Sequence, residues 1–184
     1  MMVERVNLAS LKAFFGKLVK MSFYDLGIEK DTQVASYLTD MLADFAEAER
    51  LYKISNSEGK KIETVVEMIL ETQYSSDETS NYAREMRKYV GDFTLFMTGI
   101  FRDYVIRGSY LRYYISEGIR SYFLVSKFDI ETGKGNPIMF SKLSNDFEFY
   151  AGALDYMRKV YFQTGTSGET FSNFVIQIQK GIKH

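Results

Sequence analysis

Glu49 is the side chain whose position in the sequence is hardest to explain by packing. The spacing of apolar residues predicts a second helix over residues 31–53, and Glu49 falls inside its apolar stripe, between Leu42 and Phe45 around the helix axis. A lone ionised carboxylate among apolar side chains is costly, so Glu49 should be paired, hydrogen-bonded or protonated. We favour an internal ion pair with an arginine, for which Arg107 is a candidate, or a hydrogen bond to a tyrosine. The alternative is a ligand contact or a general base.

A second set of chemically capable residues mixes arginine with tyrosine between residues 102 and 122. Four arginines against Asp103 and Glu117 give this segment a local charge of +2. Arginine and tyrosine together suit contacts to phosphate, carboxylate or stacked bases, and they equally suit a protein interface. Ordinary helix packing with exposed arginines is the simpler explanation. The candidate ligand-binding residues are Glu49, Arg107, Tyr104 and Tyr114.

Acidic residues recur at helical spacing on two predicted helices. Asp40, Asp44 and Glu47 share the polar side of the second helix, where they could supply hard oxygen ligands to Mg²⁺. Glutamates also repeat every fourth residue along a predicted helix over residues 62–73, where a cation or a basic neighbour would relieve their repulsion. These glutamates are Glu63, Glu67 and Glu71. A solvated helix face explains both patterns more simply, so the sequence predicts neither a metal site nor a cofactor.

The cysteine and histidine content excludes whole classes of chemistry. The chain has no cysteine, and its single histidine is the last residue, His184. Disulfide frameworks, thiolate nucleophiles and multi-histidine metal centres are therefore excluded, and a Ser–His–Asp triad is disfavoured. Neither glycine-containing loop matches a phosphate-binding signature. We assign no catalytic residue, and an enzymatic function is disfavoured.

The bulk composition limits partners and location. The 184 residues carry a formal net charge of −1, whereas a general binder of nucleic-acid backbones would be basic, so no nucleic-acid partner is expected. No apolar run reaches the length of a membrane span, and no signal peptide is evident, so we expect a cytoplasmic protein. Aromatic residues make up 16% of the chain. Filling the gaps between helices is their simplest role, and an aromatic pocket or an adhesive surface is the alternative.

Apolar residues recur with the helical period along the chain, and no segment alternates over the length of a strand. We therefore predict an all-α fold, a bundle of six to seven helices in a single domain over residues 1–184. Its central helix is long, about residues 78–107. The other predicted helices cover about residues 8–26, 31–53, 62–73, 109–128 and 137–162, followed by a terminal helix after residue 166.

The central helix has two apolar faces. Its main stripe runs from Tyr82 to Tyr104, while Gly91, Leu95 and Gly99 lie together on the other side. Two glycines inside a helix cost roughly 1 kcal/mol each relative to alanine. Close approach of another helix backbone would offset that cost, with a local bend as the alternative. We expect this helix to have neighbours on two sides.

These features predict a helical protein that acts by binding, either to another protein or to a second copy of itself. One alternative is a small-molecule sensor with a pocket of aromatic and methionine side chains, in which Glu49 orients a polar group of the ligand. A second alternative is a metal-dependent hydrolase that uses the carboxylates of the predicted helices over residues 31–53 and 62–73.

Overall fold

The computed structural model describes residues 8–46, Glu67 and residues 81–161. Within these ranges the regular structure is α-helical and no strand occurs, so the predicted all-α fold is confirmed. Glu49, the terminal helix and all of the helix over residues 62–73 except the helical Glu67 lie outside them. The seven helices of the described ranges are α1 (Leu8–Asp25), α2 (Thr32–Ala46), α3 (Asn81–Ile100), α4 (Arg102–Arg107), α5 (Leu111–Thr132), α6 (Pro137–Asn145) and α7 (Phe147–Tyr161).

The described residues belong to two compact units. One contains residues 8–46 and the end of α7 from Tyr156 onward, and the other contains Glu67 and residues 81–155. The single domain over the whole chain stays a prediction. None of the described helices combines the length and the apolarity that crossing a bilayer requires.

Helices α1 and α2 pack against each other in the first unit, through one apolar face of each. Helix α1 ends where the sequence predicts, before Gly27, which has a positive φ of 71°. The N–H of Gly27 donates to the carbonyl of Tyr24 at 3.1 Å, and the N–H of Ile28 donates to that of Phe23 at 2.8 Å. This pair of bonds satisfies carbonyls at the end of the helix and turns the chain toward α2.

Helix α3 forms the centre of the second unit. Every residue from Val90 to Ile100 is buried. A helix buried on all sides needs neighbours on more than one side, and α3 packs mainly against α5. The buried hydroxyls of Thr94 and Thr98 donate to carbonyls one turn earlier, each at 2.7 Å. The helix therefore pairs these two polar groups with its own backbone.

The glycines of α3 mark its closest contacts, as the sequence predicts. A Cβ atom added to Gly91 would lie 2.6 Å from the ring of Tyr122 on α5. One added to Gly99 would lie 2.5 Å from Cβ of Leu154 and 3.3 Å from the carbonyl oxygen of Ala151, both on α7. These distances are too short for carbon atoms, so only glycine allows these neighbours to pack as they do. The expected close approach of another helix backbone is thus found at Gly99, whereas Gly91 makes room for a side chain.

The predicted central helix is interrupted at Phe101, which has φ −112° and ψ 34°. The guanidinium of Arg102 donates to the carbonyl of Thr98 at 3.2 Å, which supplies a donor to the end of α3. One non-helical residue shifts the phase of every residue after it. The prediction that Tyr104 lies on the buried stripe is therefore wrong, because Tyr104 is exposed, and Arg107, three residues farther along, is exposed too.

Two boundaries farther along the chain also differ from the prediction. Helix α5 continues to Thr132, beyond the predicted end at residue 128, and stops at Gly133 with φ 67°. Helix α6 begins where the sequence predicts, after Asn136, whose side chain caps it by accepting a bond from the N–H of Met139 at 3.2 Å. The helix predicted over residues 137–162 is interrupted at Asp146, with φ −112° and ψ 27°. Apolar side chains are buried on both sides of the interruption, Met139 and Leu143 before it and Phe147 and Tyr150 after it.

Replacing Gly99 with alanine tests the close packing of α3. We expect Gly99→Ala to lower the free energy of unfolding by about 1–3 kcal/mol, because the new methyl group overlaps Leu154. The matched control is Gly152→Ala on the exposed side of α7, where no atom lies within 4 Å of the added Cβ. This control should stabilise the protein by up to about 1 kcal/mol. Urea denaturation measures both, and equal effects would contradict the packing described.

Candidate functional site

Four tyrosines gather where α4 meets α5. Tyr104 belongs to α4, and Tyr110, Tyr113 and Tyr114 lie at the start of α5. We call these residues the four-tyrosine cluster. The ring centroid of Tyr114 lies 6.0 Å from that of Tyr110, 6.4 Å from that of Tyr113 and 6.4 Å from that of Phe93 on α3. The cluster thus contains two of the predicted binding residues, Tyr104 and Tyr114, and is anchored on the central helix.

A tight turn positions Tyr110. Ser109 has φ 61°, a left-handed conformation that costs an L residue roughly 1–2 kcal/mol. The N–H of Tyr110 donates to the carbonyl of Val105 at 3.0 Å. A Cβ added to Gly108 would lie 2.5 Å from the ring of Tyr110, so the ring rests directly on the glycine backbone. The turn therefore holds this aromatic side chain in one place.

Two hydroxyls of the cluster, those of Tyr113 and Tyr114, are kept in their neutral form. Burial, together with the neighbouring hydroxyls of Tyr104, Tyr110 and Tyr113, raises the pKa of Tyr114 to about 12. Burial also raises the pKa of Tyr113, and the carboxylate of Glu117 adds to the effect. At neutral pH both residues keep their protons, so the cluster offers hydrogen-bond donors instead of phenolates.

The outer side of the cluster is accessible. Tyr104 is 42% exposed and Tyr110 is 50% exposed. Arg107 follows Tyr104 by three residues on α4 and is also exposed, and it forms no ion pair with a described residue. Arg107 therefore lies at the surface with the tyrosines. Because Glu49 is outside the described ranges, its pairing with Arg107 stays a prediction.

Two carboxylates are buried elsewhere in the second unit, and the sequence analysis missed both. One is Asp92 of α3, which accepts a bond from the Tyr122 hydroxyl at 2.7 Å and another from Nζ of Lys88 at 3.1 Å. The negative charge of Asp92 raises the pKa of Lys88. Since Tyr122 is fully buried, no substrate can reach its hydroxyl. These contacts join α3 to α5.

The other buried carboxylate belongs to Asp129 of α5, which is 2% exposed. Arg84 of α3 binds it in a bidentate ion pair, with Nε 2.9 Å from Oδ1 and Nη2 3.0 Å from Oδ2. The backbone N–H of Asn136 also donates to Asp129, at 3.1 Å. Arg84 further donates to Glu85 at 2.6 Å and lies 5.4 Å from the ring centroid of Phe140. The bonds to Asp129 raise the pKa of Arg84, so the guanidinium stays charged.

A cleft of about 430 Å³ opens beside this ion pair. Its volume falls within the range of small-molecule sites, and Phe128 contributes an apolar wall. The charged groups of Arg84 and Asp129 are bonded to each other, which leaves Lys134 and Asn81 as the polar groups best able to contact a ligand.

The helical spacing of the sequence indicates that Asp129 lies on the buried side of α5, but the glycines that follow it favour an earlier end of the helix. Asp129 follows Tyr122 by seven residues and Val125 by four, so it continues the buried stripe of α5. The predicted helix ends at residue 128, before a segment that contains Gly133 and Gly135, and this leaves Asp129 outside the helix. A weaker signal for Asp92 is that it lies only about 20° from Gly99 around the axis, at the edge of the second face of α3.

The predicted acidic faces do not form a metal centre in the described residues. No group of three or more histidine, cysteine, aspartate or glutamate side chains there could hold a metal ion. Asp40 is exposed and lies 3.2 Å from Nζ of Lys12. Glu47, Glu63 and Glu71 lie outside the described ranges, so the metal-dependent hydrolase stays a prediction.

No protein-family model, curated protein or solved structure matches this chain. Function must therefore be inferred from the chemistry and the geometry of its own residues. The four-tyrosine cluster combines fixed aromatic rings, the neutral hydroxyls of Tyr113 and Tyr114 and the exposed Arg107. It is the candidate site, whereas the two buried carboxylates hold helices together.

The ionisation of Tyr114 tests how closely the cluster packs. We expect Tyr114 to titrate near pH 12, whereas an ordinary tyrosine has a pKa of about 10. Because the pKa is raised on folding, this residue stabilises the fold fully below pH 10 and loses that contribution as the pH rises toward 12. Carbon-13 NMR of labelled tyrosine side chains measures the titration, and Tyr114→Phe identifies the resonance. A value near 10 would mean that the ring is fully hydrated.

Removing the charge of Asp129 tests the ion pair. We expect Asp129→Asn to lower the free energy of unfolding by about 3 kcal/mol, because Arg84 then stays charged beside a neutral amide. The matched control is Glu131→Gln on the exposed side of the same helix, which should change it by less than about 0.5 kcal/mol. Urea denaturation compares the two. An Asp129→Asn variant as stable as the control would show that the pair contributes little.

Proposed function

We propose that this protein acts by binding protein surfaces, first of all a second copy of itself, through the four-tyrosine cluster and Arg107 beside it. The observation that carries the proposal is the fixed position of half-exposed tyrosines. The rings of Tyr110 and Tyr113 lie against that of Tyr114, which in turn contacts Phe93, so these side chains lose little conformational freedom when a partner covers them. Tyrosine and arginine are also the residues that most often dominate binding energy at interfaces.

The charges around the cluster suit contact with an identical surface. Asp103 and Arg107 of α4 are both exposed near Tyr104, so this surface carries one charge of each sign and a second copy meets no net repulsion there. In a two-fold dimer the same patch lies on both sides of the interface. An arginine of one copy can then lie over a tyrosine ring of the other, a contact worth about 0.5–2 kcal/mol.

A second candidate function is the binding of a small molecule in the cleft beside Arg84 and Asp129. Its volume supports this function. Phe128 is the aromatic side chain on its described walls, and no methionine lines them, so it differs from the aromatic and methionine pocket that the sequence predicts. We rank it second because its two strongest polar groups already bond to each other.

Sedimentation velocity over a wide range of protein concentration tests the self-association. We expect the mass to rise from that of a monomer toward that of a dimer as the concentration increases. A double variant, Arg107→Ser with Tyr110→Ser, should weaken the dimer at least 10-fold, because it removes both partners of the intermolecular contact. The control is Tyr24→Ser, which removes an exposed tyrosine of α1 and should leave the dimer unchanged.

Two results would contradict the proposal. One is a monomer at every concentration. The other is a dimer whose dissociation constant is the same in the wild-type protein and the double variant. Thermal unfolding followed by circular dichroism must show that the double variant remains folded, since Tyr110 also contacts Tyr114.

A further inference from the structure

Helices α5 and α6 carry an apolar surface that no described residue covers. It comprises Ile119, Phe123 and Ile130 of α5 and Ile138 of α6, and we call it the α5–α6 face. Phe123 is 58% exposed, Ile130 is 67% exposed and Ile138 is 73% exposed. Single exposed apolar residues are common on proteins, but several large ones on adjoining helices mark an interaction surface.

The three residues on α5 share one side of the helix. At 100° per residue, Ile119, Phe123 and Ile130 fall within about 40° of one another. The hydroxyl of Ser144 on α6 donates to the carbonyl of Ile119 at 2.9 Å. These apolar side chains therefore follow the edge of α5 that lies next to α6.

The position of α6 brings Ile138 to the same surface. The hydroxyl of Ser126 donates to the carbonyl of Pro137 at 2.8 Å, while Ser144 bonds farther back along α5. The two helices are therefore antiparallel, and the start of α6 lies beside the second half of α5. The buried residues of α6 face the core, so the exposed Ile138 points away from it. The face continues from one helix to the next.

The turn between α5 and α6 is fixed by the buried carboxylate of Asp129. Asp129 accepts the N–H of Asn136 at 3.1 Å while Arg84 binds its two oxygens. Gly135 has φ 75°, and a Cβ at this position would collide with the carboxylate. Because these contacts hold the two helices together before any partner arrives, binding would require little rearrangement.

The charges around the α5–α6 face are mainly positive. Arg112, Arg120 and Lys127 are exposed on α5, and Lys142 is exposed on α6. Glu131 is the one exposed acidic residue of α5. A second copy would bring the same positive charges against this surface, whereas an acidic partner would be attracted to it.

We propose that the α5–α6 face binds an amphipathic helix of another protein, which places apolar side chains on Phe123, Ile130 and Ile138 and acidic side chains near Arg120 and Lys127. From Ile119 to Ile130 the face extends about 16 Å, or three helical turns, along α5. Helices that bind in such grooves use apolar residues at spacings of three and four. This site is distinct from the four-tyrosine cluster and does not depend on self-association.

Synthetic peptides supply a direct test. The probe is a fluorescein-labelled peptide of about five helical turns, with leucines on one face and glutamates on the other. Its controls are a scrambled peptide of the same composition and a version with lysine in place of glutamate. Fluorescence anisotropy with the full chain should show that the acidic amphipathic peptide binds at least 10-fold more tightly than either control. Raising the salt concentration should weaken the binding several-fold.

Variants of the protein locate the site. Phe123→Ser should weaken binding of the acidic peptide at least 10-fold, because it removes the central aromatic contact. The control Phe149→Ser changes a phenylalanine of similar exposure, 47%, on α7 and should alter the binding less than 2-fold. Both residues are exposed, so both variants should keep the wild-type melting temperature. The Arg107→Ser and Tyr110→Ser double variant should bind the peptide as the wild-type protein does.

Several outcomes would overturn the proposal. These are equal affinity for the acidic peptide and either control peptide, absence of saturable binding, and unchanged binding by Phe123→Ser. If sedimentation shows that Phe123→Ser dissociates a dimer, a second copy covers this face and the proposal is also overturned. Loss of self-association in the double variant with peptide binding intact would support two separate surfaces.

Discussion

Helix α3 is buried along half of its length, so each polar group that it carries there needs a partner inside the protein. Its threonines bond to the backbone of their own helix, but the carboxylate of Asp92 cannot do so. It depends on the hydroxyl of Tyr122 and the ammonium of Lys88. Tyr122 reaches it because Gly91 leaves room for the ring. The lack of a side chain at Gly91 and the hydrogen bond from Tyr122 to Asp92 therefore belong to the same contact between α3 and α5.

Polar contacts between α3 and α5 also support the two exposed surfaces of the second unit, the four-tyrosine cluster and the α5–α6 face. Tyr122 and Asp129 join α5 to α3 at two places, so α5 is a rigid support. The four-tyrosine cluster lies at the beginning of this helix, and the α5–α6 face follows its outer edge. Groups that are held by a rigid element keep their geometry better than groups on a mobile loop. Both surfaces therefore owe their shape to polar contacts in the interior.

The helices, their ends and the close packing of α3 could be predicted from the sequence, because they depend on local residue patterns. The glycines of α3 implied a close neighbour, and Gly27 and Asn136 marked helix ends, because glycine and asparagine have specific backbone and capping roles. Tyr104 was misplaced because a single residue, Phe101, leaves the helical conformation, and the apolar pattern around it contains no sign of the change. Asp129 was missed for a different reason. The contact that justifies its burial comes from Arg84, which is 45 residues away and which no local pattern identifies.

The bond between Arg84 and Asp129 also restricts how this sequence can change over evolutionary time. Loss of the carboxylate leaves a guanidinium that is 14% exposed without its main partner, and loss of the arginine leaves a nearly inaccessible negative charge. Either single change is harmful, whereas replacing both residues by apolar ones of similar volume removes the conflict. Positions 84 and 129 are therefore expected to vary together. Gly135, whose backbone passes against the same carboxylate, gains freedom to vary only when that carboxylate is gone and its own left-handed backbone has changed.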